Sequence, residues 1–303
     1  MDQTLDDVFR ERRRLLALGY RMTGTRADAE DVVQETYLRW YRLTEAEREA
    51  VANPAGWLTT VAGRVALDLL GSARRRREQY IGPWLPEPIP ADLFAGAAAG
   101  ARTAPLSQDP LDRITLDDDV STALLVVLEA MTPAERVAFV LHDVFAVPFD
   151  EIAEAVGRSS AAVRQLAASA RRHVRESRAV AVSRAEHDRV VRAFQEAART
   201  GEITPLLNFL APDVELRSDG GGVVSAARNV VSGADNVARF LLGIAAKRPD
   251  MSMEPEQLGD GLGFVFREQG EAVSVMNLHV EGGAITRLWI VLNPAKLTHW
   301  LRP

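Results

Sequence analysis

The sequence predicts a multidomain chain, two all-α domains followed by a C-terminal α+β domain, over 303 residues. Three observations predict it. Apolar residues recur at three-to-four spacing up to about Gln79, and no strand-like alternation interrupts them. A stretch rich in proline and alanine then breaks the pattern before helix signals resume near Leu116. From Glu186 onward, helical stretches give way to short strand patterns.

The length exceeds that of a single ordinary domain, and 47% hydrophobic with 26% charged residues lies in the globular range. Cysteine is absent, which excludes a disulfide scaffold and thiolate metal sites and fits a reducing, cytoplasmic setting. No apolar run approaches the roughly 20 residues needed to span a bilayer, so no membrane association is expected. The formal net charge is −6, which by itself disfavours a polyanionic partner. The arginines are clustered, however, at Arg74 to Arg77 and at Arg171, Arg172 and Arg175. An acidic chain with two basic faces can still hold nucleic acid.

In the first domain, Asp28 to Trp40 reads as a helix with Ala29, Val33 and Trp40 inward and Asp28, Asp31 and Glu35 beside Gln34 on another face. Such a face is either a docking surface or carboxylates solvated near a helix N-terminus. A second helix follows Asn53-Pro54-Ala55-Gly56-Trp57-Leu58 and closes on the four arginines Arg74, Arg75, Arg76 and Arg77. These suit either a solvated helix end or a grip on phosphates.

The break from Gly82 to Asp112 holds Pro83, Pro86, Pro88, Pro90, Pro105 and Pro110 and the small-residue run Ala95 to Ala101, and reads as a linker. Beyond it, Thr132, Pro133 and Glu135 predict a helix start, and that helix ends near Phe145. Another begins around Phe149; Gly157 supplies its turn and Ser159 can cap a third. This is a helix-turn-helix pattern. In its last helix Val163, Leu166, Ala170 and Val174 form one stripe, and Arg164, Ala168, Arg171 and Arg175 the other, flanked by Gln165 and Arg172. Arginine and glutamine on that exposed face suit the major groove.

Strands are expected at Val214 to Arg217, Gly263 to Arg267, Ala272 to Val280 and Ala284 to Leu292, the last two joined at Glu281-Gly282-Gly283. Asp213, Glu215, Arg217, Asn277 and His279 are candidate polar residues for a pocket. No second histidine or paired carboxylate stands at a spacing that supports acid-base catalysis. The run Asp219-Gly220-Gly221-Gly222 is followed by Val223, which breaks the ending a phosphate loop requires.

Taken in order, Asp28-Ala29-Glu30-Asp31-Val32-Val33-Gln34-Glu35, the Asn53-Pro54-x-x-Trp57-Leu58 segment, Asp68-Leu69-Leu70 ahead of the arginine run, and Gly157 to Leu166 resemble extracytoplasmic-function sigma factors. Trp84-Leu85-Pro86-Glu87-Pro88 and the loop Asp219-Gly220-Gly221-Gly222 resemble the subgroup with a SnoaL-like extension. Relatives often carry Lys where Val223 stands, and Asp within the tail motif that here reads Asn293-Pro294-Ala295-Lys296-Leu297.

The resemblance implies a sigma region 2 domain over 1–81, a linker over 82–113, a region 4 helix-turn-helix domain over 114–181, and a SnoaL-like cone domain with a tail over 184–303. It implies that Asp28, Asp31, Gln34 and Glu35 dock on core RNA polymerase. At the minus-ten element of promoter DNA it places Asn53, Trp57, Arg64, Arg74, Arg75, Arg76 and Arg77, with the loop from Leu43 to Pro54 near a flipped base. At the minus-thirty-five element it places Arg164, Gln165, Arg171, Arg172 and Arg175. Trp84, Pro86, Glu87, Asp219, Gly220, Gly221, Gly222, Asn293, Pro294 and Lys296 become regulatory contacts through which the cone domain acts in cis. No catalysis, cofactor or metal is implied, and the cone pocket leaves room for an unknown small ligand. The competing readings are a ligand-controlled helix-turn-helix regulator that acts without polymerase, and an isomerase or cyclase whose cone domain is catalytic.

Overall fold

The computed structural model describes residues 11–78, 80–94, 121–177 and 182–301. The run Ala95 to Ala101, Pro105, Pro110 and Leu116 lie outside the described residues, as do the side chains of Arg74 to Arg77. The chain divides into two compact units: Met1–Glu78, Phe94–Val120 and Leu124–Ser177 form one, and Gln79–Leu93, Ser121–Ala123 and Arg178–Pro303 the other.

The first unit is helical. α1 (Arg12–Thr23) ends at Gly24 in the left-handed conformation, and α2 (Arg26–Arg42) starts under the Thr25 cap, whose hydroxyl accepts the Asp28 N–H. Gly19 lets these helices approach, since a Cβ there would meet the Ala29 backbone. α3 (Glu45–Ala50) occupies the segment expected to be a long loop. Its origin is a capping box: Thr44 accepts the Glu47 N–H, and Glu47 accepts the Thr44 N–H. α4 (Pro54–Glu78) carries the arginine run on its last turns.

α5 (Thr122–Glu129) leads to α6 (Pro133–Phe139), which starts at the expected Thr132-Glu135 capping box. A π-turn over Val140–Val144 extends it to the expected end. α7 (Phe149–Val156), the left-handed Gly157 and α8 (Ser160–Ser177) complete the helix-turn-helix. The segments expected as two separate domains pack against each other here. Arg136 Nη1 donates to the Met22 carbonyl at 2.7 Å, and Leu141 lies where a Cβ on Gly63 would sit.

The second unit is α+β. α9 (Arg184–Arg199) and α10 (Ile203–Leu207) precede β1 (Leu210–Asp219) and β2 (Val231–Ser232). α11 (Ala234–Lys247) is followed by β3 (Ser252–Leu258), β4 (Gly261–Glu268), β5 (Glu271–Glu281) and β6 (Ala284–Val291). The sheet order is β2-β1-β6-β5-β4-β3. Only the β1–β6 pair is parallel. Helices are thus interleaved with strands rather than all preceding them.

β3 was not legible in the sequence because it is a polar edge strand holding Pro255, tolerated where the ladder has one neighbour. The inner face buries Phe194, Leu216, Phe264, Met276, Leu278 and Leu288 in one apolar core.

Candidate nucleic-acid interface and linker clamp

On α8, Val163, Ala167, Ala170 and Val174 are buried, whereas Arg164, Gln165, Arg172 and Arg175 are exposed. The expected outward stripe is therefore available to a groove. Arg164 lies over the Phe149 ring at 5.4 Å, which steadies the guanidinium at the start of the helix. Arg171 differs from its neighbours. Its Nε donates to Asp143 Oδ1, an atom of a side chain nearly sealed from solvent. Arg171 thus also ties α8 to the π-turn.

On α2, Asp31 and Gln34 are exposed, but Asp28 and Glu35 are half-buried and locally engaged. Asp28 Oδ2 accepts the Thr25 hydroxyl at 2.8 Å, and Glu35 pairs with Arg39 at 2.9 Å. The free edge continues instead through Leu38 and Tyr41, exposed by 51% and 43%. Positions 31, 34, 38 and 41 share one stripe by helical spacing. Sequence reasoning missed the two apolar members, although the same periodicity marks them.

Asn53 is exposed and caps α4 by accepting the Gly56 N–H at 3.0 Å. Trp57 is half-buried edge-on to Trp40, with ring centroids 5.2 Å apart, and Arg64 faces solvent.

In the second unit the linker residues 80–90 are part of the fold. Leu85, Pro86, Glu87, Pro88 and Ile89 are buried, and Pro90 bridges to Leu258 at the end of β3. The anchor is Asp219 at the end of β1, whose carboxylate gathers four donors. They are the Tyr80 hydroxyl, the Leu85 N–H, the Gly221 N–H and Lys296 Nζ.

Lys296 also donates to the Leu85 carbonyl and lies 4.1 Å from the Trp84 ring centroid. Asn293 Nδ2 donates to the Tyr80 oxygen at 2.9 Å, and Trp300 Nε1 to the Pro88 carbonyl at 2.9 Å. Glu87 faces His299 at 3.8 Å. Burial, followed by the Asp219 carboxylate, pushes the Tyr80 phenol far up, so it stays a protonated donor.

The triple glycine follows from this geometry. Gly221 and Gly222 adopt left-handed φ of 64° and 73°. A Cβ on Gly221 would strike the Asn293 amide, and one on Gly222 would press on Ile81. Asp219 takes the loop's own N–H, so no phosphate cradle forms. The charged contact uses Lys296 and Asp219 and requires neither a Lys in place of Val223 nor an Asp within the Asn293 to Leu297 tail. Pro294 opens the 3₁₀ turn that places Lys296.

The expected pocket residues lie elsewhere. Asn277 and His279 alternate with Ser274, Met276 and Leu278 of the inner face, and Glu215 and Arg217 alternate with Val214, Leu216 and Ser218. His279 does have a carboxylate beside it, Glu281 at 2.8 Å. Asp260 acts on it as well, but the cluster lies on the face turned from the core. Among the described residues no cluster could hold a metal ion, and no helix is long and apolar enough to cross a membrane.

Comparison with known proteins gives this arrangement a family. Sigma-70 region 2 matches residues 8–76, and Sigma-70, region 4 matches residues 121–174. The chain is 38% identical to the ECF RNA polymerase sigma factor SigJ of Mycobacterium tuberculosis, over 95% of this chain and 91% of that protein. The chain belongs to the extracytoplasmic-function sigma factors. A further relative of this sigma factor is the probable ECF RNA polymerase sigma factor SigI of the same species, 36% identical over 93% of this chain and 91% of that one. The crystal structure of the tuberculosis SigJ superposes on this sigma factor with a TM-score of 0.73 at 35% identity, covering 97% and 98% of the two chains. The architecture of helical regions 2 and 4 followed by a C-terminal α+β domain is thereby shared with that sigma factor.

In the C-terminal domain, sequence reading missed Tyr80 and Trp300 as clamp members. An aromatic residue on either flank of the two motifs was the available signal.

Proposed function

We propose that this sigma factor binds core RNA polymerase, directs promoter-specific initiation, and is regulated in cis by its SnoaL-like domain acting on the linker. In this reading Asp31, Gln34, Leu38 and Tyr41 form the polymerase-docking edge of α2, with Asp28 and Glu35 shaping it. Trp57, Asn53, Arg64 and the run Arg74 to Arg77 serve the minus-ten element. Arg164 and Gln165 read bases at the minus-thirty-five element, while Arg171, Arg172 and Arg175 hold phosphates.

The observation that carries the regulatory part is the burial of linker residues 85–89 against Asp219 and Lys296. Within the helical unit, moreover, α1 and α6 are joined by Arg136 and Met22. The two promoter elements lie roughly 25 base pairs apart, about 85 Å along duplex DNA. Helices in direct contact do not bridge that distance, so promoter binding requires regions 2 and 4 to separate. The linker between them sets how far they go, and a clamp fused to the same chain acts on it at high effective concentration.

The test is reconstituted transcription. Full-length protein and a form ending at residue 181 are mixed with core polymerase, and transcript starts are mapped. Both should bind core and initiate at the same promoters with different efficiency. Failure of the intact, folded chain to bind core at low salt would overturn the sigma reading, and operator binding without polymerase would mark a free-standing regulator. Loss of core binding on truncation alone would make the SnoaL-like domain structural.

A further inference from the structure

Helix α6 does not end as a regular helix. Over Val140–Val144 it widens into a π-turn, in which the Phe145 N–H donates to the Val140 carbonyl at 3.1 Å and the Val147 N–H to the Leu141 carbonyl at 2.9 Å. Ala146 follows with a φ of 55°, a left-handed value that L side chains rarely adopt. Such backbone persists where the surroundings fix it, and it collects at functional sites.

Two consecutive residues of the turn reach arginines of α8. Asp143 takes the Nε–H of Arg171 directly. His142 reaches Arg164 through a ring. It stacks on Phe149, the first residue of α7, with centroids 3.7 Å apart and planes 25° from parallel. The Arg164 guanidinium carbon in turn lies 5.4 Å from the Phe149 centroid. The imidazole is itself fixed: its Nδ1 is 3.0 Å from the Val147 carbonyl, which can only accept, so Nδ1 carries the hydrogen. Arg164 and Arg171 stand two helical turns apart and share a face. Arg171 is anchored by an ion pair, whereas Arg164 has no carboxylate partner among the described residues, and the Phe149 ring is what orders it.

An exposed guanidinium that turns freely still attracts phosphate, because that attraction needs only charge. A paired contact to one base needs the planar fork held in one orientation. We propose that Phe149, braced by His142, is a positioning residue that holds the Arg164 fork for base reading, and so sets how sharply the minus-thirty-five element is discriminated. This rests on base recognition by Arg164, and it places part of the discriminating power of α8 in α7 and the π-turn.

The test uses holoenzyme assembled from core polymerase and the full-length chain. Affinity is measured over a salt series for a promoter found by transcript mapping, and for the same promoter with each single base-pair change in the minus-thirty-five element. Phe149→Leu keeps apolar bulk but removes the ring. It should lower discrimination at the base pair read by Arg164 about two- to fivefold, as expected for an exposed cation–π contact, with the salt slope unchanged. Phe149→Tyr should keep the parent's discrimination. With Arg164 already replaced by Ala, Phe149→Leu should change discrimination no further, whereas a general defect in the helix-turn-helix would persist in that background. Melting temperature checks the fold of each variant, and His142→Ala, at a half-exposed position, should reproduce the loss if Phe149→Leu does not fold. Loss in Arg164→Ala without loss in a folded ring variant, or equal loss from Phe149→Leu in both Arg164 backgrounds, would overturn the positioning role while base reading stands. Unchanged discrimination in Arg164→Ala would remove base reading itself, and the positioning role with it.

Discussion

Lys296 Nζ lies 2.8 Å from Asp219 Oδ2, and the two side chains are 7% and 0% exposed. They stand 77 residues apart in the chain, so their meeting closes the C-terminal domain around the linker. Charges so deeply withdrawn from water are stable only together, because each alone would lack compensation for its lost hydration.

Replacing Lys296 by Met should therefore destabilise the C-terminal domain by about 3–5 kcal/mol, since Asp219 is left buried without its cation. Urea denaturation measures the loss. Limited proteolysis should cut between Tyr80 and Pro90 faster than in the parent, and Asp219→Asn in the same background should recover part of the stability.

Arg164→Ala should relax sequence preference at the minus-thirty-five element, whereas Arg172→Ala should weaken binding about equally across sequences and reduce the salt slope by roughly one unit. Gel-shift titrations over a salt series separate the two. Arg171→Ala should show a mixed result, with weaker DNA binding and a lower melting temperature, because Arg171 also pairs with Asp143.

Leu38→Ser and Asp31→Ala should lower affinity for core polymerase about tenfold or more while leaving the melting temperature unchanged, as both side chains face solvent. Asp28→Ala should instead cost about 1 kcal/mol of stability by removing the carboxylate that accepts the Thr25 hydroxyl, while the Thr25 cap on the backbone N–H of residue 28 remains. Core-binding anisotropy alongside thermal melting distinguishes docking from folding. Equal affinity in Leu38→Ser would remove Leu38 from the docking edge.

His279 titrates below its ordinary 6.5, chiefly through burial and further through Arg287, against the opposing pull of Glu281 and Asp260. The unfolded chain then binds a proton just below pH 6.5 that the folded chain does not. Stability should accordingly fall as pH drops below about 6.5, and level off once the folded histidine is protonated. Urea midpoints at pH 7.5 and 5.5 should differ in the parent and converge in His279→Gln.

How much of this was readable beforehand varies by element. The helix-turn-helix was legible because its signals are local: a capping box at Thr132, a left-handed Gly157 and a stripe of period 3.6 in α8. α3 carries the same kind of signal at Thr44 and Glu47 and was read as loop only because six residues give little periodicity. β3 was hidden by Pro255 and its polar neighbours, which an edge position tolerates. The clamp was half legible. Its motifs named Asp219 and Lys296, but partnership between Tyr80 and Asn293, 213 residues away, is a property of the folded sheet. The pocket candidates failed on strand parity, which a one-residue register decides.

The clamp also orders events at the ribosome. Leu85 emerges first and receives its partner Lys296 only 211 residues later, about 10–40 s at usual bacterial or eukaryotic elongation rates. Thr122 and Ala123, whose N–H groups are received by Asp260 at 2.9 and 3.3 Å, likewise wait for 138 and 137 residues of further synthesis. Every newly made molecule therefore passes through an interval in which its two helical regions exist with the segment joining them still unfastened, and restraint arrives only after the segment around Lys296 has been translated.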